Sequence, residues 1–295
     1  MLECQNKRLI EEASNAWEAL TLANNFLFQK VMQNEELCVK VLSEILGVEV
    51  EKVIYTDYEK TIDVRLDAKA IRLDVYIKDE KGTVYNIEMQ NTDMKDLPKR
   101  GRYYQGLIDM DLLEKGNVYS ELNKSIIIFI CTFDYYTMGL YNYTFNNICR
   151  EDNSLEYGDE TTKIVVNTHG TKGEITKDMR VFLDAINGVF SNDEFSDKLK
   201  MEVEKVKRSE HARRDYMTLY IHDQDIRRLA LEEGLEKGIL EGREEGIKEG
   251  IKEGIKGIIA EYLSEGKSED IIVEKLMRIY NLNVYDAREY YNRYQ

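Results

Sequence analysis

Residues 71–90 read IRLDVYIKDEKGTVYNIEMQ, and this stretch decides the fold. Apolar and polar residues alternate on both sides of a short polar segment that ends in glycine, which is the pattern of a β-hairpin. A three-residue loop that ends in a left-handed Gly82 sets the register of the two strands. Counting back along both strands then places Asp74 directly opposite Glu88.

The predicted register brings two carboxylates and one amide to the same face of the hairpin. Directly opposed residues have Cβ atoms about 4.5–5.5 Å apart. Gln90 projects from the same face as Glu88 because it lies two residues further along the strand. The opposite face is expected to form the core, and it carries Leu73, Val75, Ile77, Tyr85, Ile87 and Met89.

Two carboxylates at this distance destabilise each other unless they share a proton or bind a cation. Carboxylate oxygens and water are the ligands that Mg²⁺ prefers, and its sites commonly use one or two carboxylates. The sequence therefore predicts a Mg²⁺ site with Asp74 and Glu88 as ligands, in which Mn²⁺ can substitute. The ion would polarise a phosphodiester and lower the pKa of a bound water. Gln90 would orient that water or hold a substrate oxygen.

A solvent-exposed sheet face with ordinary polar residues is an alternative of equal weight, because triplets such as Glu88-Met89-Gln90 are common. A register error of one residue would also separate Asp74 from Glu88.

The rest of the chain predicts an α/β core with helices appended to it. Residues 14–46 have a helical pattern that ends at Gly47, and residues 50–90 alternate with a period of two. A helix is expected over residues 97–115 and a strand buried on both faces from Ser125 to Phe133. Weaker strand patterns follow at residues 141–146 and 163–168, and nearly everything beyond residue 176 is predicted to be helical.

A glycine recurs every four residues between positions 234 and 254. An isolated helix would lose about 1 kcal/mol for each such glycine. The repeat has two interpretations. The first is close contact along the glycine ridge, by self-association or by docking on the core, and the second is a solvated linker produced by repeat expansion. Residues 258–295 are expected to form two or three short helices, one of them starting near Ser268.

Composition limits the function classes. The net charge of −15 counts against a protein coated in basic residues, although it permits a local basic groove. The four cysteines form no CxxC pair, so no zinc site is expected. The longest apolar run, residues 126–131, is too short to span a bilayer, and the first residues do not resemble a signal peptide. We therefore expect a cytoplasmic protein.

Three segments of the chain carry a resemblance to a known family: residues 72–75, residues 85–90 and residues 100–104. They resemble the PD-(D/E)XK nuclease family transposases, also called recombination-promoting nucleases. The resemblance covers roughly residues 20–220, and a glycine-repeat tail is also common in that family. It implies a restriction-endonuclease-like α/β core, with a mixed sheet flanked by helices and an α-helical C-terminal extension. It also implies metal-dependent DNA cleavage linked to recombination, mobile elements or phage defence.

Carried over by position, Asp74 matches the metal-binding aspartate of the family and Glu88 matches its second acid. Gln90 matches the glutamine that stands where most of the superfamily has lysine. The family usually has an acidic residue shortly before its Phe-x-Phe helix, and here Asn25 stands at that place. This replacement removes a charged ligand without removing the two-carboxylate site.

The helix after the hairpin supplies the candidate DNA contacts. Arg100 and Tyr104 are four residues apart and share a helix face. With Arg102 they could hold a phosphate and stack on a base or sugar. An ordinary surface helix with an amphipathic tyrosine is the alternative, with equal weight.

The sequence thus predicts four regions: a nuclease-like core (14–175), a helical extension (176–232), the Gly-x-x-x repeat helix (233–257) and a small helical region (258–295). The favoured function is that of a Mg²⁺-dependent endodeoxyribonuclease that acts on DNA and forms homo-oligomers through the repeat. The alternatives are a catalytically weakened DNA-binding or regulatory protein and an oligomeric assembly protein.

Overall fold

The structure, a computed structural model, describes residues 2–58, 60–62 and 71–295. Within these ranges the chain forms a six-stranded mixed sheet in the order β1-β4-β5-β6-β8-β7 and a two-stranded sheet of β2 and β3. The strands are β1 (Val53–Tyr58), β2 (Thr61–Ile62), β3 (Ile71–Arg72), β4 (Val75–Asp79), β5 (Val84–Gln90), β6 (Ser125–Cys131), β7 (Asn142–Phe145) and β8 (Thr161–Asn167). The fold is therefore the predicted α/β class with a mixed sheet.

The β4–β5 hairpin has the register that the sequence predicts. Val75 pairs with Ile87 and Lys78 pairs with Val84 in an antiparallel ladder. Gly82 has a φ of 80°, a left-handed conformation that glycine adopts without steric cost. The loop is closed by a hydrogen bond of 3.0 Å from the Asp79 amide to the Thr83 carbonyl.

Strand β5 lies in the interior of the sheet. It pairs in parallel with β6, so that Gln90 lies beside Cys131 at the carboxyl ends of the two strands. β6 in turn pairs in parallel with β8, and β7 forms an antiparallel edge. Every residue of β6 is buried, which confirms the predicted strand with two covered faces.

The helical pattern of residues 14–46 corresponds to three helices: α1 (Leu2–Glu18), α2 (Asn25–Val31) and α3 (Glu35–Leu46). The breaks fall at Asn24 and Asn34, whose side chains accept hydrogen bonds from the first amides of the helix that follows each of them. Asparagine is favoured at the N-cap of a helix. The pattern of apolar residues does not show these caps, so it predicts one continuous helical segment. Gly47 ends α3 with a φ of 66°, as predicted.

Helices cover both faces of the sheet. One core cluster joins α1, α2, α3 and two later helices, α5 and α6, to the face that carries Ile77 and Ile87. The second cluster joins α4 to the face that carries Val84 and Phe129. Leu73 belongs to this second cluster, so the prediction that it shares a face with Val75 and Ile77 is wrong. The helices named here are α4 (Leu97–Leu112), α5 (Lys177–Ile186) and α6 (Glu194–Arg208).

The chain divides into a compact unit that ends at Ile221 and a second unit from His222 to Gln295. The remaining helices are α7 (Glu210–Ser264), α8 (Glu269–Tyr280) and α9 (Val284–Tyr294). In the second unit a small core forms around Ile255, Ile259, Ile272, Leu276 and Ala287. None of the described helices is long and apolar enough to cross a membrane.

Candidate active site

The predicted site residues come together at one end of the hairpin. Asp74 directly precedes β4, and Glu88 and Gln90 are among the last three residues of β5. Their exposed fractions are 8% for Asp74, 3% for Glu88 and 8% for Gln90. The alternative of a solvent-exposed polar face is therefore wrong, because α4 and the residues packed around it cover this side of the sheet.

Asp74 is held by neutral hydrogen-bond donors. Its Oδ2 accepts from the Met89 amide at 3.0 Å and from Asn25 Nδ2 at 3.3 Å. Its Oδ1 accepts from Gln29 Nε2 at 3.0 Å. The Asp74 amide donates to Glu88 Oε1 at 3.3 Å, so the two predicted ligands are in direct contact. These donors fix the carboxylate without adding a positive charge beside it.

Sequence reasoning missed Gln29 and Asn86. Gln29 is four residues after Asn25 and therefore shares its helix face, yet it is only 5% exposed between apolar neighbours. Asn86 is fully buried and donates from Nδ2 to Glu88 Oε1 at 3.1 Å. Its own Oδ1 has no hydrogen-bond partner among the described residues. Its spacing of two from Glu88 was the available signal, since residues two apart on a strand share a face.

Burial and the neighbouring Asp74 carboxylate raise the pKa of Glu88 to about 8. The hydrogen bonds from Asn86 and from the Asp74 amide, and the charge of Arg100, act in the opposite direction. The protein therefore favours a proton on Glu88 at neutral pH. A divalent cation would stabilise both carboxylates in place of that proton.

The donor set fits a hard cation. The Asp74 and Glu88 side chains supply carboxylate oxygens from neighbouring residues, and oxygen ligands with several waters are what Mg²⁺ requires. Among the described residues, no group of three or more His, Cys, Asp or Glu side chains could hold a metal ion. A bound ion would thus have Asp74 and Glu88 as its charged protein ligands. Asn25 contributes a neutral amide in contact with Asp74.

Helix α4 places two of the three candidate DNA contacts next to the acids. Arg100 donates from one terminal nitrogen to Gln90 Oε1 at 2.7 Å and from the other to Asp96 Oδ1 at 2.8 Å. Tyr104 is half-buried, and burial together with the Glu88 carboxylate raises its pKa to about 12. Arg102 is exposed elsewhere on the helix.

The described residues thus form a mixed sheet with two buried acids, Glu88 near the carboxyl end of β5 and Asp74 directly before β4. Residues 22–156 match the family model described as PD-(D/E)XK nuclease family transposase. The match includes the hairpin, both acids, Gln90 and helix α4, so this segment of the chain is similar to the PD-(D/E)XK nuclease family transposases. No curated protein and no solved structure matches the chain.

Proposed function

We propose that the protein is a Mg²⁺-dependent endodeoxyribonuclease that hydrolyses phosphodiester bonds in DNA, with Mn²⁺ able to replace Mg²⁺. The observation that carries the proposal is that two buried acids are neighbours: the Asp74 amide donates to Glu88 Oε1 at 3.3 Å, and the Asp74 carboxylate raises the pKa of Glu88. Two like charges in a buried position are costly without a compensating cation. The family match supports the nuclease class.

Each residue of the site has a distinct task. Asp74 and Glu88 would hold the ion, which would lower the pKa of a bound water and neutralise charge that develops on the phosphate. Asn25 and Gln29 keep Asp74 in place, and the amide of Gln90 orients the water or the phosphate. As the family resemblance implies, we propose that this chemistry serves recombination, mobile elements or phage defence, and that the protein acts in the cytoplasm.

DNA would lie along the surface of α4. Arg102 is exposed and would meet a backbone phosphate, and the half-buried Tyr104 would contact a sugar or base. Phosphate contacts supply affinity that falls with salt concentration. The net charge of −15 makes this local basic contact more important, since the chain as a whole carries the same sign of charge as DNA.

Plasmid cleavage by the full chain with Mg²⁺ or Mn²⁺ tests the nuclease proposal. We expect nicking or linearisation that stops with EDTA and in the Asp74→Ala variant. Glu80→Gln is the matched control, because Glu80 belongs to the same hairpin but lies exposed in its loop. Undiminished cleavage by folded Asp74→Ala protein would show that the site is elsewhere.

A catalytically weakened DNA-binding protein is the second candidate function, and Asn25 is the observation that favours it. Its amide replaces the acid that the family usually carries. DNA binding without cleavage across several divalent metals would support this candidate, and cleavage gained by Asn25→Asp would identify the cause.

We also propose that the protein forms homo-oligomers through α7. Leu235, Ile239 and Ile247 are each more than half exposed on this helix. From Gly234 to Gly250, an added Cβ at each repeat glycine would meet no described atom within 4 Å. An open glycine ridge beside an exposed apolar ridge suits close approach by a second helix, here that of another copy. Light scattering on the full chain measures this state.

A further inference from the structure

Arg100 has an environment unlike that of an ordinary surface arginine. Its side chain is 21% exposed and connects the Gln90 amide to the Asp96 carboxylate. Asp96 is the N-cap residue of α4, but among the described residues its side chain makes no capping hydrogen bond. The carboxylate binds the guanidinium instead. Hydrogen bonds with Gln90, Asp96 and Tyr104 therefore hold the arginine in one position.

This contact determines which end of the Gln90 amide is available. The Oε1 atom accepts a hydrogen bond of 2.7 Å from Arg100. The remaining hydrogen-bonding capacity of the group is largely that of its two N–H donors. With its Oε1 bound by Arg100, Gln90 can donate from its N–H groups to an incoming oxygen.

Arg100 also brings a fixed positive charge to the acidic pair. Gln90 lies on the same strand face as Glu88, two residues away, and Arg100 is bonded directly to Gln90. Negative charge grows on the phosphate during hydrolysis, and a preorganised donor or cation at that position lowers the barrier. Arg102, two residues along the helix, is exposed and provides the natural comparison.

We propose that Arg100 acts in catalysis as a positioning residue and not as a general DNA contact. It fixes the Gln90 amide with its N–H groups available to a phosphate or water oxygen and adds positive charge beside Asp74 and Glu88. This inference rests on the proposed nuclease function, and it assigns Arg100 and Arg102 to different tasks.

Kinetics separate these tasks. In Arg100→Gln we expect kcat to fall by about 100-fold, the typical effect of removing one preorganised donor. In Arg102→Gln we expect kcat to change less than about twofold while KM rises and the salt dependence of binding becomes weaker by about one phosphate contact. An Arg100→Gln variant whose only change is the KM increase seen for Arg102→Gln would overturn the proposal.

A charge exchange tests the contact with Gln90. Gln90→Lys places a lysine next to the Arg100 guanidinium, and the two cations repel each other. In the double variant Gln90→Lys/Arg100→Gln this repulsion is absent. We therefore expect the single variant to cleave DNA more slowly than the double variant. A double variant no more active than Gln90→Lys would contradict the coupling. Circular dichroism confirms that each variant is folded.

Metal binding gives a readout that needs no cleavage. Calorimetry with Mn²⁺ and without DNA should show Arg100→Gln binding the ion about tenfold more tightly, because a cation near the two acids has been removed. A residue needed only for folding would weaken binding, and a distant DNA contact would leave it unchanged. Either result would overturn the assignment of the charge. If the wild type binds Mn²⁺ but cleaves no DNA, the nuclease proposal fails and this measurement still decides the role of the charge.

Discussion

The β4–β5 hairpin and the glycine segment of α7 reverse the usual distribution of side chains in opposite ways. The hairpin buries two carboxylates, Asp74 and Glu88, whereas α7 exposes apolar residues such as Ile239 and Ile247. Buried charges and exposed apolar surface are both unfavourable for an isolated chain. The comparison teaches that the two regions motivate two different proposals, because a cation would compensate the buried charges of the hairpin and a second helix would cover the apolar residues of α7.

The largest expected effect is on activity at the hairpin. Glu88→Ala should lower the cleavage rate by at least about 1000-fold, because it would remove one of the two proposed charged ligands and weaken binding of the ion. Quantified nicking of supercoiled DNA measures the loss, with Glu80→Gln retaining the wild-type rate. If the cleavage rate of folded Glu88→Ala protein falls by less than tenfold, Glu88 is not a ligand of the ion. The explanation for the buried acids of the hairpin would then be wrong.

The next effect concerns α7. Replacing Ile239 and Ile247 by glutamate should weaken self-association by about 100-fold, since two side chains leave the proposed interface and two charges enter it. Sedimentation equilibrium over a range of protein concentrations gives the constant. A matched variant, Glu241→Gln, changes an exposed polar position of the same segment and should preserve association. A monomeric wild type would remove this half of the comparison.

The third effect is on stability in the absence of metal. Glu88→Gln should increase the free energy of unfolding by about 1–3 kcal/mol at pH 8 in EDTA, because it removes a buried charge beside Asp74. The pKa of Glu88 is raised to about 8 in the folded protein. The stabilising proton is therefore fully present below the ordinary pKa of glutamate and is lost as the pH rises through 8. Urea denaturation should show the difference at pH 8 and almost none at pH 4.

Asp79 provides the control for that measurement. It lies at the other end of β4, is 7% exposed, and accepts hydrogen bonds from the Lys81 and Thr83 amides and from the Tyr85 hydroxyl. Asp79→Asn should destabilise the protein by about 1–3 kcal/mol, because some of these donors lose their acceptor. Equal changes for Asp79→Asn and Glu88→Gln would mean that both acids are structural.

The smallest effect sharpens the site. Asn25→Asp should tighten Mn²⁺ binding by about tenfold or less, because it adds a third carboxylate beside Asp74. It should also lower the stability of the metal-free protein for the same reason. Calorimetry and thermal unfolding in EDTA measure the two changes. Unchanged affinity would show that residue 25 lies too far from the ion to act as a ligand.

Local patterns predicted the hairpin and part of the site. Alternation and a glycine-terminated loop are properties of neighbouring residues, so the register that joins Asp74 to Glu88 could be derived before any tertiary contact was known. The strand of residues 125–131 was equally accessible, because seven consecutive residues without a charge indicate a strand covered on both faces. The breaks between α1, α2 and α3 could not be predicted from the pattern of apolar residues. Asn24 and Asn34 interrupt the helices by capping, and this local interaction competes with a continuous helix.

The amino-acid sequence by itself determined the α/β class, the two acids and the place of Gln90 beside them, because these follow from residue types at fixed spacings. Only the tertiary structure decided that the acidic face is buried, that Gln29 and Asn86 hold the carboxylates, and that Arg100 binds Gln90. Burial and the contacts between α2, α4 and the hairpin depend on how distant segments pack. A local spacing does not contain that information.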